Sequence, residues 1–467
     1  MTKFTVYTIN SETKMFQEFL YDNETSSLFD TNSKVEYPTD SSVNNWQDNL
    51  HNYNYIAKKI SKDLPAKKTK DFQTLKISFG MKCNYSCEYC SQRFVPEAEE
   101  QDNFDADEFL NKLTSTFNFG DTGKYKKIEY WGGEPLVYWN KIVAIAEKLR
   151  EQYPDLTFGI ITNGSLMTKE KADWLVRMGF TVGMSHDGPG QSVRGPNPFD
   201  VEKIKENILY LYNILAPQGR MSFNSMLNNK NTSRKAIQEY FVSITGDEHV
   251  QIGEGGFIDA YDMGGYGMSL NKNQFKQFSY NAFKEIRQST CTNFIGVRKK
   301  IVDFLKSLYE KHHSKTISQK CGMDKEYNIV VDLNGDILTC QNVTSAATAP
   351  NGNPHKIGTI DDFDNIKLTT ATHWSHREEC KSCPVLHLCR GSCMFLEGEL
   401  WKASCNNAFY DNIPYFCAVI EHLTNCIPVY IDGDLPEERK DIFGLFENGF
   451  DISKLDIENF YKELECQ

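Results

Sequence analysis

The stretch Gly80-Met81-Lys82-Cys83-Asn84-Tyr85-Ser86-Cys87-Glu88-Tyr89-Cys90 decides how the rest of the chain is read. Three thiols fall within eight residues, directly after the apolar run Leu75–Phe79. Three thiolates cannot complete a four-coordinate metal site, so this spacing leaves one metal position open. In an iron–sulfur cluster that takes one thiolate per iron, three ligands leave one iron free.

Beyond this loop, apolar runs alternate with amphipathic segments as far as about residue 262. Candidate strands are Leu75–Phe79, Lys127–Trp131, Thr157–Thr162, Thr181–Ser185, Met221–Ser225 and Val250–Gly253. Helical periodicity marks Ala106–Thr116, Lys141–Tyr153, Lys169–Met178 and Glu202–Leu215, then Gln274–Arg287 and Val297–His312. The alternation predicts an α/β fold with a parallel sheet and outer helices, curled by right-handed crossovers into an open, partial (β/α)6 barrel. Reacting groups then belong on the loops after the strands. Three such loops stand out: Trp131-Gly132-Gly133-Glu134-Pro135, Thr162-Asn163-Gly164, and Ser185-His186-Asp187-Gly188-Pro189 with Arg194 beyond. The paired glycines allow close backbone approach to a ligand, and the Glu134 carboxylate can accept a hydrogen bond from an ammonium group. Thr-Asn-Gly and Asp-Gly-Pro are ordinary turns by themselves; their order and their place at successive strand ends give them weight.

A second cysteine region begins at Cys321 and continues through Cys340, Cys380, Cys383, Cys389, Cys393, Cys405 and Cys417. The pattern is too dense for one four-ligand site and suits two interleaved clusters. Paired CxxC cysteines are also a zinc-ribbon signal, and His373 and His376 lie nearby; both histidines read as surface residues beside Trp374. Cys291, Cys426 and Cys466 match no motif and read as packing or surface thiols.

The CxxxCxxC loop, with aromatic Tyr89 before its last cysteine, resembles the signature of the radical S-adenosylmethionine (SAM) superfamily. The resemblance implies a 4Fe–4S cluster on Cys83, Cys87 and Cys90 whose free iron chelates the amino and carboxylate groups of SAM. Reductive cleavage then gives methionine and a 5′-deoxyadenosyl radical, which abstracts hydrogen from the substrate. It also implies that Gly132, Gly133 and Glu134 hold the SAM amino group, that Thr162 and Asn163 contact the ribose, and that Ser185, Asp187 and Arg194 serve ribose and carboxylate. The later cysteines resemble the SPASM extension, a C-terminal auxiliary-cluster domain, which brings the total to three 4Fe–4S clusters. Carried over, Cys380, Cys383 and Cys389 hold the distal auxiliary cluster, and Cys321, Cys340 and Cys393 the proximal one. For the distal cluster's fourth ligand the reading takes Cys417, because Ile413–Cys417 opens a helix as the family's last cysteine does; Cys405 is the competitor. For the proximal cluster, either Cys405 supplies the fourth ligand or that iron is open. The resemblance covers about residues 72–425.

Enzymes of this class mature peptides and proteins. The resemblance implies a ribosomally made precursor peptide as substrate, a carbon–carbon or thioether crosslink between side chains as outcome, and an external electron donor of flavodoxin or ferredoxin type. The runner-up is anaerobic sulfatase maturation, the oxidation of a protein Cys or Ser to formylglycine. That branch carries an Asp base after the cysteine corresponding to Cys340, where this chain has Gln341, which takes no proton at neutral pH. Readings from other classes are a non-catalytic iron–sulfur electron-transfer protein, which has no need of the strand-end loops, and a zinc-binding module.

The 467 residues are 40% apolar and 24% charged, as in a globular protein of more than one domain. A net charge of −12 argues against nucleic acid as partner. No apolar run is long enough to span a bilayer, and the N-terminus lacks a secretory signal, which reads as cytoplasmic with no membrane partner. Fourteen cysteines in a reducing compartment call for metal rather than disulfides. The division expected is a small N-terminal domain (1–70), the barrel (71–315), the cysteine-rich domain (316–426) and an acidic tail with a short helix (427–467). In the first, Phe4–Ile9 and Met15–Tyr21 read as strands, with a hairpin of Phe19–Asp22 and Leu28–Asp30 that adds a leader peptide as a further strand. The lysine run Lys58, Lys59, Lys62, Lys67, Lys68 and Lys70 around Pro65 reads as a solvated linker.

Overall fold

Two sheets organise the chain, and neither respects the order of the sequence. The computed structural model describes residues 2–39, 65–98, 104–120, 125–253, 255–350, 352–369, 372–446 and 449–465. The N-terminal strands are β1 (Lys3–Asn10), β2 (Phe16–Asp22), β3 (Ser27–Asp30) and β4 (Glu36–Tyr37); the barrel strands are β5 (Thr74–Ser78), β6 (Lys127–Trp131), β7 (Thr157–Thr162), β8 (Phe180–Ser185) and β9 (Met221–Asn224). Three more, β10 (Asn328–Asp332), β11 (Asp336–Leu338) and β12 (Lys356–Thr359), come from the cysteine-rich region, and β13 (Cys426–Asp432) lies near the C-terminus.

The barrel helices are α1 (Ala106–Thr116), α2 (Trp139–Gln152), α3 (Lys169–Arg177), α4 (Glu202–Leu215) and α5 (Arg234–Thr245). Side chains of Asp105, Thr168 and Ser233 cap the starts of α1, α3 and α5, each cap worth ~1 kcal/mol. Helix α4 buries Ile208, Leu211, Tyr212 and Leu215, one stripe at helical spacing. In β8 burial alternates strictly, with Phe180, Val182 and Met184 in the core, so Ser185 lies on the opposite face. Strands β5 to β9 pair in parallel and in sequence order.

The sixth expected strand, Val250–Gly253, is reduced to single bridges from Ile252 to Phe223 and Phe294. Gly253 packs so tightly that a Cβ there would stand 2.2 Å from Asn224 Oδ1, and the glycines at 253, 255 and 256 weaken any strand. On the other edge, β10 runs parallel to β5, and β11 and β12 continue antiparallel, so one eight-stranded sheet carries both cysteine regions. Lys68 is no solvated linker residue. Its ammonium donates to the carbonyls of Met323 (2.6 Å), Lys325 (3.0 Å) and Asn328 (2.8 Å), tying the barrel's entry to the start of β10. Lys58, Lys59 and Lys62 lie outside the described residues.

The second sheet has the order β13-β1-β2-β3-β4. Its β2–β3 hairpin pairs Leu20 with Phe29 as the sequence suggests. The segment read as an acidic tail supplies β13, which is buried from Cys426 to Ile431 and pairs with β1. The remaining helices are α6 (Met263–Gly267), α7 (Lys272–Arg287), α8 (Ile295–Tyr309), the single turns α9 (Glu378–Lys381) and α10 (Leu386–Cys389), the long α11 (Gly398–Thr424), α12 (Glu437–Lys440) and α13 (Ile457–Glu465). Helix α11 packs on α7 and α8 and is tied to the barrel by buried Asp411, which pairs with Arg234 of α5 and, at 2.9 Å, with Lys300 of α8. The Asn23 amide, in the β2–β3 turn, donates to the carbonyls of Cys383 (2.7 Å) and Lys381 (3.1 Å). The N-terminal sheet is thus docked on the cysteine-rich region.

Candidate functional site

A cavity of about 320 Å³ opens at the C-terminal ends of the barrel strands. Cys83, Cys87 and Cys90 line it, together with Gly132, Gly133, Glu134, Thr162, Asn163, Ser185 and Arg194. These residues come from the ends of four successive strands and the loops that follow them, so convergence here requires the barrel.

The cysteine loop is fastened to its neighbours through backbone. Gly133 N–H donates to Gly80 O (2.9 Å) and Glu134 N–H to Lys82 O (3.0 Å). A Cβ on Gly133 would lie 2.3 Å from Met81 O, so only glycine fits. The Glu134 side chain is 2% exposed. Its carboxylate accepts from Leu136 N–H (3.0 Å), Thr162 hydroxyl (2.6 Å) and Asn163 N–H (2.7 Å). Burial raises its pKa, and those three donors offset part of the rise. A carboxylate offers about four acceptor positions, so one remains for a ligand. Asn163 also donates to Asn84 Oδ1 at 2.9 Å, closing a circuit through cysteine loop, β6 and β7.

Asp187 departs from expectation. It is fully buried and absent from the cavity wall. Its carboxylate accepts from the Tyr89 hydroxyl and from Met226 N–H (3.0 Å), and stands 3.6 Å from the Arg194 guanidinium. Arg194 donates to the Tyr89 oxygen at 2.8 Å. Asp187 therefore orients the aromatic of the cysteine motif and the cavity's cation rather than meeting a ligand itself. His186 is buried, and desolvation pulls its pKa down to about 4, which keeps it neutral.

Sequence reading missed the opposite wall: Asn224, Met226, Ile258, Asp259, Tyr261 and Asn342. None belongs to a motif. Asp259 accepts from the Ser392 hydroxyl and lies 3.4 Å from Lys320 Nζ, between the cavity and the residues flanking Cys393 and Cys321. Gln341 turns away; its carbonyl oxygen accepts from Lys76 Nζ at 3.2 Å.

The later cysteines form two groups. Cys380, Cys383, Cys389 and Cys405 line one small cavity with Trp401, Phe409 and Arg439. This corrects the assignment of Cys417, which is fully buried among Ile413, Phe416 and Ile420 in the main core. The reason is helical geometry. Pro414 does not open a helix but lies inside α11, which already starts at Gly398. At ~100° per residue, positions 405 and 417 point about 120° apart. Burial drives the Cys383 thiol up to about 12 and the Cys389 thiol up to about 11, so a metal must displace their protons on binding. Cys340 and Cys393 border a separate apolar cluster of Met323, Val330 and Leu338. Cys393 is raised by burial, then by the nearby charges of Asp259, Cys321 and Cys340. Among the described residues no three His, Cys, Asp or Glu side chains are grouped to hold a metal ion; the thiols are spread around cavities. His373 is not a surface residue: it is fully buried, with Nε2 3.1 Å from Asp324. Cys291 and Cys426 are buried away from either group, and Cys466 lies outside the described residues.

Comparison with known proteins agrees with this geometry. Residues 77–228 match the radical SAM superfamily. The chain therefore carries a radical SAM domain and is a radical SAM enzyme, with SAM and a 4Fe–4S cluster as the cofactors that the domain implies. The serine-type anaerobic sulfatase-maturating enzyme of Klebsiella aerogenes is 22% identical over 345 residues, 69% of this chain and 79% of its own. The cysteine-type enzyme of Clostridium perfringens is 23% identical over 351 residues, 67% and 85% of the two chains. The radical SAM cyclopropyl synthase TigE of Paramaledivibacter caminithermalis is 26% identical over 168 residues, which span 33% of this chain and only 35% of that protein. In fold, the solved structure of native anSMEcpe with bound AdoMet superposes with a TM-score of 0.52 at 19% identity, covering 75% of this chain and 99% of that one. No helix among the described residues is long and apolar enough to cross a membrane.

Proposed function

We propose that this enzyme modifies a ribosomally made precursor peptide by SAM-dependent hydrogen abstraction, joining two side chains through a carbon–carbon or thioether bond. The observation that carries the reading is the cavity itself: one wall is the Cys83-Cys87-Cys90 loop, and the other, Asp259, Tyr261 and Asn342, adjoins the later cysteines. A side chain entering there lies between two electron-handling centres, which suits an oxidative modification.

In this reading Cys83, Cys87 and Cys90 would hold the first cluster, Cys380, Cys383, Cys389 and Cys405 the distal one, and Cys321, Cys340 and Cys393 the proximal one, with Asp259 and Tyr261 near Cys393. Thiols spread around cavities suit polynuclear clusters better than single zinc ions. When bound, the first cluster and SAM supply reductive cleavage of the sulfonium and the hydrogen abstraction that follows. The chain's own residues bind and orient. Glu134 offers its remaining acceptor position to the SAM ammonium, Arg194 faces the carboxylate, and Thr162, Asn163 and Ser185 border the ribose. An external donor of flavodoxin or ferredoxin type supplies electrons.

The second reading is oxidation of a sulfatase Cys or Ser to formylglycine, favoured by the sulfatase-maturating relatives that align with two thirds of the chain. Gln341 weighs against it, since its amide cannot act as base and is directed at Lys76. Asp259 is the carboxylate that would have to take that part. Co-expression with neighbouring small open reading frames and with a sulfatase-derived peptide separates the two by mass. A crosslink lowers the precursor's mass by about two hydrogens. Formylglycine on the sulfatase peptide, with every small peptide untouched, would replace the first reading by the second.

A further inference from the structure

Arg439, on the C-terminal turn α12, is 6% exposed and lines the same cavity as Cys380, Cys383, Cys389 and Cys405. Its Nη2 donates to Cys405 Sγ at 3.4 Å and to Asn406 Oδ1 at 2.6 Å. The guanidinium carbon sits 4.7 Å from the centre of the Phe409 ring. Arg439 Nε is buried with no hydrogen-bond partner, and no carboxylate stands within ion-pair distance of this side chain among the described residues. A buried guanidinium without a counter-charge costs several kcal/mol or more. Its neighbours here are four thiols, which become thiolates on metal binding.

Arg377, which also neighbours Cys380 and Cys405, differs from Arg439 in having a carboxylate, Glu397, at 3.9 Å. Arg194, beside the first motif, is paired with Asp187 and Tyr89. Lys76, on the proximal side, lies 3.6 Å from Glu129 and donates to Gln341. Hydrogen bonds to ligand sulfur and local positive charge both stabilise the reduced, more negative state of a cluster and raise its potential.

We infer that Arg439 is the counter-ion and sulfur hydrogen-bond donor of the distal cluster, a positioning residue that sets this centre's reduction potential above that of the proximal one. The inference rests on the assignment of the distal cluster to Cys380, Cys383, Cys389 and Cys405. Cys405→Ala tests that assignment by itself: unchanged iron content would remove the assignment and the inference with it.

The inference is tested on the anaerobically reconstituted full chain by iron and sulfide analysis and by redox titration followed by electron paramagnetic resonance. Arg439→Met removes both charge and donor, Arg439→Gln the charge alone, and Arg439→Lys keeps the charge. With iron content at the wild-type level, the distal midpoint should fall in Arg439→Met and Arg439→Gln, stay near wild type in Arg439→Lys, and leave the other two midpoints unmoved. A distal midpoint that is unchanged in Arg439→Gln, or that falls as far in Arg439→Lys as in Arg439→Gln, overturns it. If Arg439→Met loses iron, the comparison of the Lys and Gln variants decides.

Discussion

The loop of Cys83, Cys87 and Cys90 and the pocket of Cys380, Cys383, Cys389 and Cys405 place thiols in opposite settings. The first hangs from backbone hydrogen bonds over a cavity of about 320 Å³, with Cys83 exposed. The second encloses about 20 Å³ beneath Trp401, Phe409 and Arg439, with Cys380 and Cys383 buried. An incomplete ligand set over a large opening suits a centre that meets small molecules. A complete set in an apolar pocket suits one that meets only electrons. The pairing of β5 with β10 ties the first loop to the strands beside Cys321 and Cys340, whereas the second pocket is built on the helices α9 to α11.

The comparison is broken most directly at the open loop. Replacing Cys83, Cys87 and Cys90 together by Ala should remove about four of roughly twelve irons and abolish SAM cleavage while the other irons stay. Formation of 5′-deoxyadenosine by that variant would refute the assignment. At the closed pocket, Cys405→Ala should again lose about four irons, whereas Cys417→Ala should keep its iron and lose only ~1–2 kcal/mol of stability as a small core truncation. Iron analysis on soluble protein reads both, and the reverse pattern would restore Cys417 as ligand. Asp187→Asn should leave all iron in place but weaken SAM binding about tenfold, ~1.4 kcal/mol, by loosening Arg194 and Tyr89. Calorimetry on reconstituted protein measures this, and an unchanged affinity would confine Asp187 to the fold.

The smallest effect concerns protons. Desolvation holds His186, His355 and His387 near a pKa of about 4, below the ~6.5 of an unfolded histidine. Above that value both states are neutral. As pH falls from about 6.5 towards 4 the unfolded chain takes up protons first, so stability is lost across that window. His387 joins the closed pocket to the N-terminal sheet, with Nε2 2.8 Å from Asn23 O. In denaturant titrations between those pH values, His387→Gln should make the decline shallower by about 1 kcal/mol per pH unit. A slope equal to wild type would show that His387 is charged in the folded state or stays neutral in the unfolded one.

Much of the barrel is legible in the residues because its signals are local. Periodicity places β6, β7, α1 and α4 at their observed bounds, and the strand-end turns mark eight residues of which seven line the cavity. What was not legible depends on distant partners. The type of Asp187 was visible, but its burial follows from Tyr89 packing above it. The choice between Cys405 and Cys417 turns on where α11 begins, and Pro414 in its interior misplaces that start. Asp259 and Tyr261 carry no motif, since they reach the cavity only through glycine-rich backbone between β9 and α6. Strand β13 is a six-residue apolar run, Cys426–Ile431, closed by Asp432, too short to distinguish from a buried helical turn until its partner is known.

That partner has a consequence for synthesis. Asn10 and Cys426 meet at the β1–β13 seam although 416 positions separate them. A ribosome adding about 5–20 residues per second leaves β1 without its neighbour for roughly 20 to 80 seconds on that rate. During that interval an edge rich in unpaired N–H and C=O groups is open to foreign strands. The barrel and its thiols are completed first, and the seam closes last, like a clasp fastened after the contents are in place.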